Sequence, residues 1–531
     1  MKINNHLVLA SSSIIALLFA IPILLIISTL FHGYSENWLH LTQTVLNEYI
    51  TNSLLLVSGV SIGVILIGVP TAWLVTCCNF TGKGFFKWSL VLPLSIPPYI
   101  MSYAFTGLFD SYGTANEIMR YIFDLESSYN FFPSVRNIPG AIIIFSFTLY
   151  PYVFLLAQTA FINQSRDLID VSRTLGLSKK LTFLKVALPL AKPSIIAGLM
   201  LVAMETLSDF GAVEHFAIPT FTTGIFRSWF GMHDLTTAKQ LAGFLFVIFL
   251  ILIIIEKYSR KKMQYNFSFT SNRKLVPVQL KGIKNYLSFV LCGIPILIGF
   301  IIPFTQLLYW ALVYKLDYFD STFYESAYNT FLLTLISATA CVSISLIINY
   351  VLRINKNSFL SFTNKIISSG YGIPGIVLAL GVLDFFSIVN IYGNLVITGT
   401  IIGLIFAYSI KFYALPNLSI ESGFRKINKS IDEISYTLGV SNFNLLRKVH
   451  APLLKNSLQI ALLLISIEII KELPATLILR PFNFDTLSVS AYMYASDERM
   501  VEAAAPSIAI VLVTLIPILL LIKILSKESN E

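Results

Sequence analysis

Long, unbroken apolar runs constrain this chain more than any other feature, because each is long enough to cross a lipid bilayer. A transmembrane helix needs about 20 such residues, and the chain holds twelve runs of about that length. They lie at about 7–30, 50–75, 89–109, 138–162, 193–214, 238–257, 286–313, 328–352, 366–387, 395–416, 457–478 and 503–523. Their apolar residues are continuous rather than alternating, which excludes a membrane β-barrel. The sequence therefore predicts an all-α integral membrane protein with about twelve transmembrane helices.

The composition agrees with a chain that faces lipid. Only 12% of the 531 residues are charged, against about 25% in soluble domains, and the mean hydropathy is +0.76. So little polar surface excludes a disordered chain, a coiled coil and a water-soluble enzyme of this size. The first run is too long for a signal peptide and lacks a small-residue cleavage pattern, so we read it as an uncleaved span.

The basic residues predict the orientation. If the N-terminus and every second loop are grouped on one side, that side holds 29 of the 37 Lys and Arg but 8 of the 28 Asp and Glu. Basic residues accumulate in cytoplasmic loops. We therefore expect a multi-pass protein with both termini in the cytoplasm. The net charge of +9 reports this orientation and not binding of nucleic acid.

Two of the predicted cytoplasmic stretches repeat each other. Residues 170–189 align without a gap with residues 433–452, at an offset of 263, and further upstream the offset is 277. Matched pairs include Gly176 and Gly439, Pro189 and Pro452, Lys185 and Lys448, Asn52 and Asn329, and Ile96-Pro97 and Ile373-Pro374. Each copy lies between the fourth and fifth of six spans. Because the number of spans per half is even, both halves have the same orientation in the membrane and the repeat is parallel. The predicted domains are a first half at 1–256, a basic cytoplasmic linker at 257–284 and a second half at 285–531.

Each repeated stretch predicts a helix, a glycine turn and a second helix on the cytoplasmic face. The acids early in the first helix suit the positive end of its dipole, and Gly176 and Gly439 suit a helix end that needs positive φ. Ser178 and Ser441 can cap the second helix, and the prolines that follow break the path into the next span. A short projecting helix suits docking into a groove on a soluble partner. The alternative is an amphipathic helix that lies at the membrane surface without a partner.

This pattern resembles the EAA loop of ATP-binding-cassette importer permeases, which forms a coupling helix in a cleft of the ATPase subunit. The Glu-Ala-Ala of that family reads Asp170-Val-Ser and Glu433-Ile-Ser here. The coupling residues that the resemblance implies are Asp170, Gly176, Pro189, Glu433, Gly439 and Pro452. Two such loops in one chain imply two copies of a cytoplasmic ATPase subunit. The family also implies an extracytoplasmic substrate-binding protein and a place in the bacterial cytoplasmic (inner) membrane.

Other stretches resemble the fused permeases of ferric-iron importers, and this resemblance covers nearly the whole chain. They are Glu205-Thr-Leu-Ser-Asp-Phe-Gly-Ala, Lys471-Glu-Leu-Pro-Ala-Thr and Ile373-Pro-Gly-Ile. Permeases for thiamine, phosphonate and polyamines are close relatives of that group. The resemblance implies ferric iron as the cargo, with those substrates as alternatives.

Four acids lie within the predicted spans, where charge is costly and usually functional. They form two pairs at matched positions, each spaced by one helical turn: Glu205 with Asp209, and Glu468 with Glu472. Together they are candidates for a pathway that favours a cation. The alternative is a structural role, in which Glu468 or Glu472 pairs with Lys471, Arg480 or a buried amide. A cargo that is released intact needs weak contacts, so we expect no tight metal site.

No motif for chemistry occurs in the sequence. It contains no G-x-x-x-x-G-K-[ST], H-E-x-x-H or C-x-x-C pattern, and its four cysteines lack metal-ligand spacing. We therefore expect no catalytic residue and no cofactor, so ATP must be hydrolysed by a separate polypeptide. The competing hypothesis is a secondary transporter with parallel halves, driven by an ion gradient.

Overall fold

A computed structural model describes residues 3–31, 33–124, 126, 129–162, 164, 172, 174–176, 178–262, 277–313, 320–355, 357–393 and 396–528. Almost all of this chain is helical, which confirms the all-α class. We call residues 3–262 the N-terminal segment and residues 277–528 the C-terminal segment.

The helices of the N-terminal segment are α1 Ile3–Thr29, α2 Glu36–Thr44, α3 Leu46–Cys77, α4 Lys83–Ser89, α5 Pro98–Phe109, α6 Thr114–Phe123, α7 Ile138–Ile162, α8 Lys179–Thr182, α9 Leu188–Ser208, α10 Gly211–His215, α11 Phe221–Phe226 and α12 Leu235–Lys262. A 3₁₀ turn lies at Leu92–Ser95, and π-helical turns lie at Phe183–Ala187 and Arg227–Gly231.

The helices of the C-terminal segment are α13 Ile283–Ile296, α14 Ile302–Val313, α15 Ser321–Ile354, α16 Ser358–Ser368, α17 Gly375–Gly393, α18 Ile401–Phe412, α19 Ala414–Lys426, α20 Ser430–Thr437, α21 Asn442–Asn444, α22 Ala451–Leu453, α23 Lys455–Lys471, α24 Pro474–Leu479, α25 Leu487–Ser496 and α26 Ala504–Glu528. A 3₁₀ turn lies at Ser369–Gly372, and π-helical turns lie at Leu297–Ile301 and Leu445–His450. Two short parallel strands, β1 Cys78–Asn79 and β2 Val278–Gln279, pair with each other.

Eight helices among the described residues are long and apolar enough to cross a membrane, or up to ten if two bent pairs each count as one span. Every apolar run in the sequence coincides with helix, but not every run forms a full-length helix. The run at 89–109 forms a 3₁₀ turn and the 12-residue helix α5. The structure thus describes a multi-pass membrane protein, and the count of twelve spans stays a prediction.

The first long helix of each segment packs against the other segment. Helix α1 lies against α16 and α17, and a Cβ at Gly381 of α17 would overlap the Pro22 carbonyl oxygen. Helix α14 lies against α5, where Gly107 faces the indole ring of Trp310. Each of the two large apolar cores therefore contains residues of both segments, and the segments form one bundle.

Both Ile-Pro pairs of the repeat start a helix inside the bundle. Ile96 and Ile373 are extended, with φ/ψ of −104°/109° and −85°/128°, as expected before proline. A 3₁₀ turn precedes each pair, and α5 and α17 begin directly after it. The prolines therefore interrupt the two runs at matched points, which leaves both helices starting within the apolar core.

Candidate functional site

The second repeated loop is a helix–turn–helix with a glycine at the turn. Helix α20 ends in a Schellman motif: the Val440 N–H donates to the Ser435 carbonyl, and the Gly439 N–H donates to the Tyr436 carbonyl, both at 3.0 Å. Gly439 has a φ of 76°, the left-handed conformation that this motif requires. The stretch Asn442–Leu453 then lies at 77° to α23. A short helix therefore crosses this end of the bundle, which we call the loop end.

The first repeated loop is described in part. Asp170 lies outside the described residues. Gly176 has a φ of 85°, and the Leu181 N–H approaches the Ser178 hydroxyl at 3.4 Å, so Ser178 caps α8. Ser441, at the matched position, makes no such side-chain bond.

A π-helical turn ends two residues before the matched proline in both loops. The Leu188 N–H bonds to the Phe183 carbonyl before Pro189, and the Ala451 N–H bonds to the Leu446 carbonyl before Pro452. Proline cannot donate the usual helical bond, and the wider turn accommodates that loss.

The two copies differ after this turn. In the C-terminal copy the path bends as predicted, but the N-terminal helix is continuous over Phe183–Ser208. The predicted break is wrong there. Pro189 lies inside this continuous helix, directly after the π-helical turn and Leu188.

An ion-pair cluster fixes the second loop to the bundle. The Arg353 Nε donates to Asp432 Oδ2 at 2.7 Å, and its two terminal nitrogens donate to the carbonyls of Phe424 and Ile427 at 2.7 and 3.1 Å. The side chains of Arg353 and Asp432 are 8% and 15% exposed. The end of α15 therefore holds the start of α20 through a largely buried guanidinium.

His450 completes this cluster from the π-helical turn. It is fully buried, with its Nε2 3.1 Å from Asp432 Oδ1 and its ring 5.6 Å from that of Tyr350. The Tyr350 hydroxyl in turn donates to the Asn442 carbonyl at 2.5 Å. Burial lowers the pKa of His450, and the nearby Arg353 adds to this while Asp432 opposes it. The imidazole is therefore held neutral near pH 7.

The first loop is held by aromatic packing instead. Trp73 of α3 packs on Phe183 in the π-helical turn, with ring centroids 4.7 Å apart, and on Phe161 at 5.3 Å. At the offset of 277, Trp73 matches Tyr350. The matched positions Trp73 and Tyr350 therefore each join the third helix of a segment to its loop, but they contact loop residues that do not match.

A cavity of about 1770 Å³ opens between the segments near the loop end. Asn428 and Lys429 border it beside the second loop, and Met204 and Gly372 border its far end. Met204 lies 16 residues into α9, which at about 1.5 Å per residue is about 24 Å from the loop end. The cavity therefore reaches deep into the bundle, as far as Met204, the residue before Glu205 in α9.

The matched acids Asp209 and Glu472 each cap a helix break. Asp209 Oδ1 accepts from the Ala212 and Val213 N–H groups at 2.9 and 3.2 Å. Glu472 Oε1 accepts from the Ala475 N–H at 3.0 Å. Both breaks lie near the middle of the bundle, where α9 and α23 end.

The backbone around both breaks is held by the same set of hydrogen bonds. The Thr222 and Ser488 hydroxyls donate to the carbonyls of Asp209 and Glu472, at 2.7 and 2.8 Å. The matched residues Asn52 and Asn329 also make equivalent hydrogen bonds. Their side chains donate to the carbonyls of Pro219 and Asp485, at 2.9 and 3.0 Å.

The two breaks carry different charges. Lys411 forms an ion pair with Glu472, and both side chains are at most 12% exposed. Gly375 makes this pair possible, because a Cβ there would overlap Glu472 Oε1 and lie 2.9 Å from Lys411 Nζ. Asp209 has no ion-pair partner in the part of the chain that the structure describes.

The other two acids lie near this pair. Lys471 is 3.3 Å from Glu468, which is a pair that the structural alternative names. The partner of Glu472 is Lys411, which that alternative does not name. Glu205 lies within electrostatic reach of Glu468, Lys471 and Lys411. The structure therefore brings Glu205, Glu468 and Glu472 together with two lysines.

Sequence reasoning missed Lys411 and the loop cluster. It placed Lys411 among the cytoplasmic basic residues, but α18 ends at Phe412 and the chain reaches the loop end only through α19, bent by 52°. The signal available was a lysine within an apolar run, which needs an acidic partner. The Arg353–Asp432–His450 cluster left no signal in the sequence, since its members come from three separate stretches.

Comparisons with known proteins agree with this architecture. Residues 65–258 match the family model described as "Binding-protein-dependent transport system inner membrane component". The chain is 26% identical to the Fe(3+)-transport system permease protein FbpB 2 of Haemophilus influenzae over 483 residues, which is 90% of each chain. It is 24% identical over 460 residues to a second putative ferric transport permease of that organism, covering 80% of this chain and 68% of the relative. A molybdenum permease of Haemophilus influenzae is 26% identical over 37% of this chain and 86% of its own length. The predicted resemblance to importer permeases is thereby confirmed.

Proposed function

We propose that this chain is the permease subunit of a binding-protein-dependent importer whose cargo is ferric iron. The observation that carries this proposal is the similarity to a Haemophilus influenzae ferric-iron permease over 90% of both chains. The chain forms the translocation pathway by alternating access, and separate ATPase subunits drive it. It has no catalytic function of its own.

The proposed architecture is two homologous six-helix halves, 1–256 and 285–531, joined by the basic linker 257–284. They give twelve spans in the bacterial inner membrane, with both termini and the loop end in the cytoplasm. The matched hydrogen bonds of Asn52 and Asn329 support this duplication. So do the matched Ile-Pro turns.

The two repeated loops dock on two copies of a cytoplasmic ATPase, and an extracytoplasmic binding protein delivers cargo at the opposite end. The residues assigned to coupling are Asp170, Gly176, Pro189, Glu433, Gly439 and Pro452. The crossing helix Asn442–Leu453 supports this role, because a helix at 77° to its span presents one long side to a partner. When the ATPase subunits close on ATP, they move the loops together and open the bundle at the far end.

The acids Glu205, Asp209, Glu468 and Glu472 line the pathway at its narrow point. The cavity that ends beside Met204 supports this placement. The lysine partners of Glu468 and Glu472 moderate the negative charge there. A weakly negative constriction lets a cation enter and leave.

The sharpest test replaces Gly176 and Gly439 by tryptophan. No atom of the described residues lies within 4 Å of a Cβ at either glycine, so the new side chains project outward, where the ATPase docks. We expect loss of ATPase co-purification and of iron uptake. The matched control is Gly399→Trp, because Gly399 also has positive φ, 71°, and open space but lies before α18, away from the loops. ATPase binding that survives both loop substitutions would contradict the docking role.

Uptake of radiolabelled ferric iron by a deletion strain carrying this chain tests the cargo. If thiamine, phosphonate, polyamine or molybdate competes for uptake and iron does not, the chain is the permease of a related importer. Transport by the purified chain in liposomes without ATPase subunits would establish a secondary transporter.

A further inference from the structure

Two buried tyrosine hydroxyls on α5 have no hydrogen-bond partner in the described part of the chain. Tyr99 and Tyr103 are 3% and 1% exposed, and neither hydroxyl oxygen is bonded. They are spaced by one helical turn, so both lie on one side of the helix. A buried polar group without a partner costs stability, and its presence in a native structure calls for an explanation.

These tyrosines belong to an apolar core that contains residues of both segments, but polar groups lie beside them. A Cβ at Gly211 would lie 2.8 Å from Tyr99 Cβ and 2.9 Å from a methyl of Leu473. Tyr99 is therefore beside the break that begins at Asp209, and both Asp209 and Glu472 lie within its electrostatic reach. The Tyr103 ring lies edge-on to His215, with centroids 4.9 Å apart.

The charge at this point favours a cation. Lys411 neutralises Glu472, whereas Asp209 has no cationic partner among the described residues. One oxygen of Asp209 caps α10, and the side chain is only partly buried. The remaining carboxylate oxygen is therefore free to meet a ligand.

We propose that Tyr99, Tyr103 and Asp209 form a transient site that coordinates a hard, multiply charged cation through oxygen atoms. Hard cations prefer carboxylate and other oxygen ligands. Two hydroxyls and one carboxylate hold such an ion weakly, as a pathway that must release its cargo requires. The inference rests on the proposed function, because it identifies ferric iron as the ion.

The site belongs to one segment only. At the offset of 277, Tyr99 and Tyr103 match Ile376 and Leu380, both fully buried in an apolar core. The cavity opens toward the loops, so the tyrosines lie on the closed side of the pathway in this state. Their hydroxyls acquire a partner when that side opens.

The test uses Tyr99→Phe, Tyr103→Phe and the double variant, in the full chain with its ATPase and binding protein. Removing an unbonded hydroxyl leaves the melting temperature unchanged or raises it, so the variants fold. We expect the KM for ferric-iron uptake to rise by about tenfold, a size usual for loss of a contact at a metal site. Asp209→Asn keeps the oxygen that caps α10 but removes the charge, and we expect it to have the same effect.

Tyr150→Phe is the matched control. The buried Tyr150 hydroxyl donates to the Leu90 carbonyl at 2.8 Å, so this variant should lose stability and keep the KM. Gallium(III), a trivalent cation that is not reduced, should compete with iron for the wild type and do so less well for the variants.

The outcomes separate the two proposals. A wild type that takes up no ferric iron overturns the proposed function and this site with it. If the wild type takes up iron and the phenylalanine variants match it in KM and in gallium competition, the site alone is overturned.

Discussion

In the N-terminal segment the repeated loop packs on the ring of Trp73, whereas the C-terminal segment fixes its loop through Arg353, Asp432 and His450. The helix breaks show the same contrast. At the offset of 263, Lys411 matches Thr148. The Thr148 hydroxyl donates to the Ile144 carbonyl of its own helix at 2.8 Å. The backbone scaffold is shared, but among the described residues only the C-terminal segment carries ion pairs at these points. A duplicated fold thus keeps its backbone hydrogen bonds while its charged contacts diverge.

This difference predicts unequal responses to single substitutions. Removing one member of a buried ion pair leaves an uncompensated charge, which is costlier than losing apolar packing. The C-terminal segment should therefore be the more fragile one when a single charge is removed.

The largest effect is expected at Lys411. Lys411→Met leaves Glu472 buried without a cation, and we expect a loss of about 3–5 kcal/mol of stability. Thermal unfolding in detergent measures this. Thr148→Val, at the matched position, should cost far less, and Glu472→Gln added to Lys411→Met should restore much of the loss. Equal destabilisation by the Lys411 and Thr148 substitutions would remove the contrast between the breaks.

The next effect is expected at the loop cluster. Arg353→Met leaves Asp432 and three backbone carbonyls without their charged donor, for a loss of about 2–3 kcal/mol. Proteolysis between α20 and α23 should become faster. The matched control is Thr76→Met, since Thr76 precedes the end of α3 as Arg353 precedes the end of α15. A loop that stays resistant without Arg353 would show that packing alone holds it.

The shared scaffold predicts equal effects in the two segments. Asn52→Leu and Asn329→Leu each remove one hydrogen bond to a backbone carbonyl, and each should cost about 1 kcal/mol. Both side chains are similarly buried, 8% and 6% exposed. Melting temperatures of the two variants give the comparison. A cost at one position that is several times that at the other would mean that only one break depends on this bond.

The glycines of the two loops should also respond equally to substitution, with a smaller loss of stability. Gly176→Ala and Gly439→Ala meet no neighbouring atom, so their only cost is the left-handed backbone, about 1 kcal/mol each. Local hydrogen exchange should detect it in both loops, and Gly84→Ala, which also has open space but no positive φ, serves as the control. No change at Gly176 would indicate that the first turn relaxes to another conformation.

Much of the architecture could be predicted from the sequence, because long apolar runs and glycine turns are local signals. The positive φ of Gly176 and Gly439, the Ile-Pro interruptions and the pairing of Asn52 with Asn329 are of this kind. The lysine partner of Glu472 was not predicted, since Lys411 lies 61 residues away and the two meet only through tertiary packing. The continuous path through Pro189 was also missed, because both loops have the same proline and the same π-helical turn before it, yet only the second path bends.

The smallest expected effect is a pH dependence confined to the second loop. Burial lowers the pKa of His450 below its ordinary 6.5, so the unfolded state binds a proton more readily than the native state. The stability that neutral His450 contributes is therefore present above about pH 6.5 and is lost as the pH falls below it. Asp432 and Arg353 are the charged groups that face the ring, and the first loop has Ala187 at the matched position.

Proteolysis of the second loop should accelerate between pH 7.5 and 5.5, while the first loop stays unchanged over this range. His450→Gln should abolish the difference, because it removes the titrating group and keeps a polar side chain beside Asp432. Acceleration in both loops at once would instead assign the effect to carboxylates common to the whole bundle.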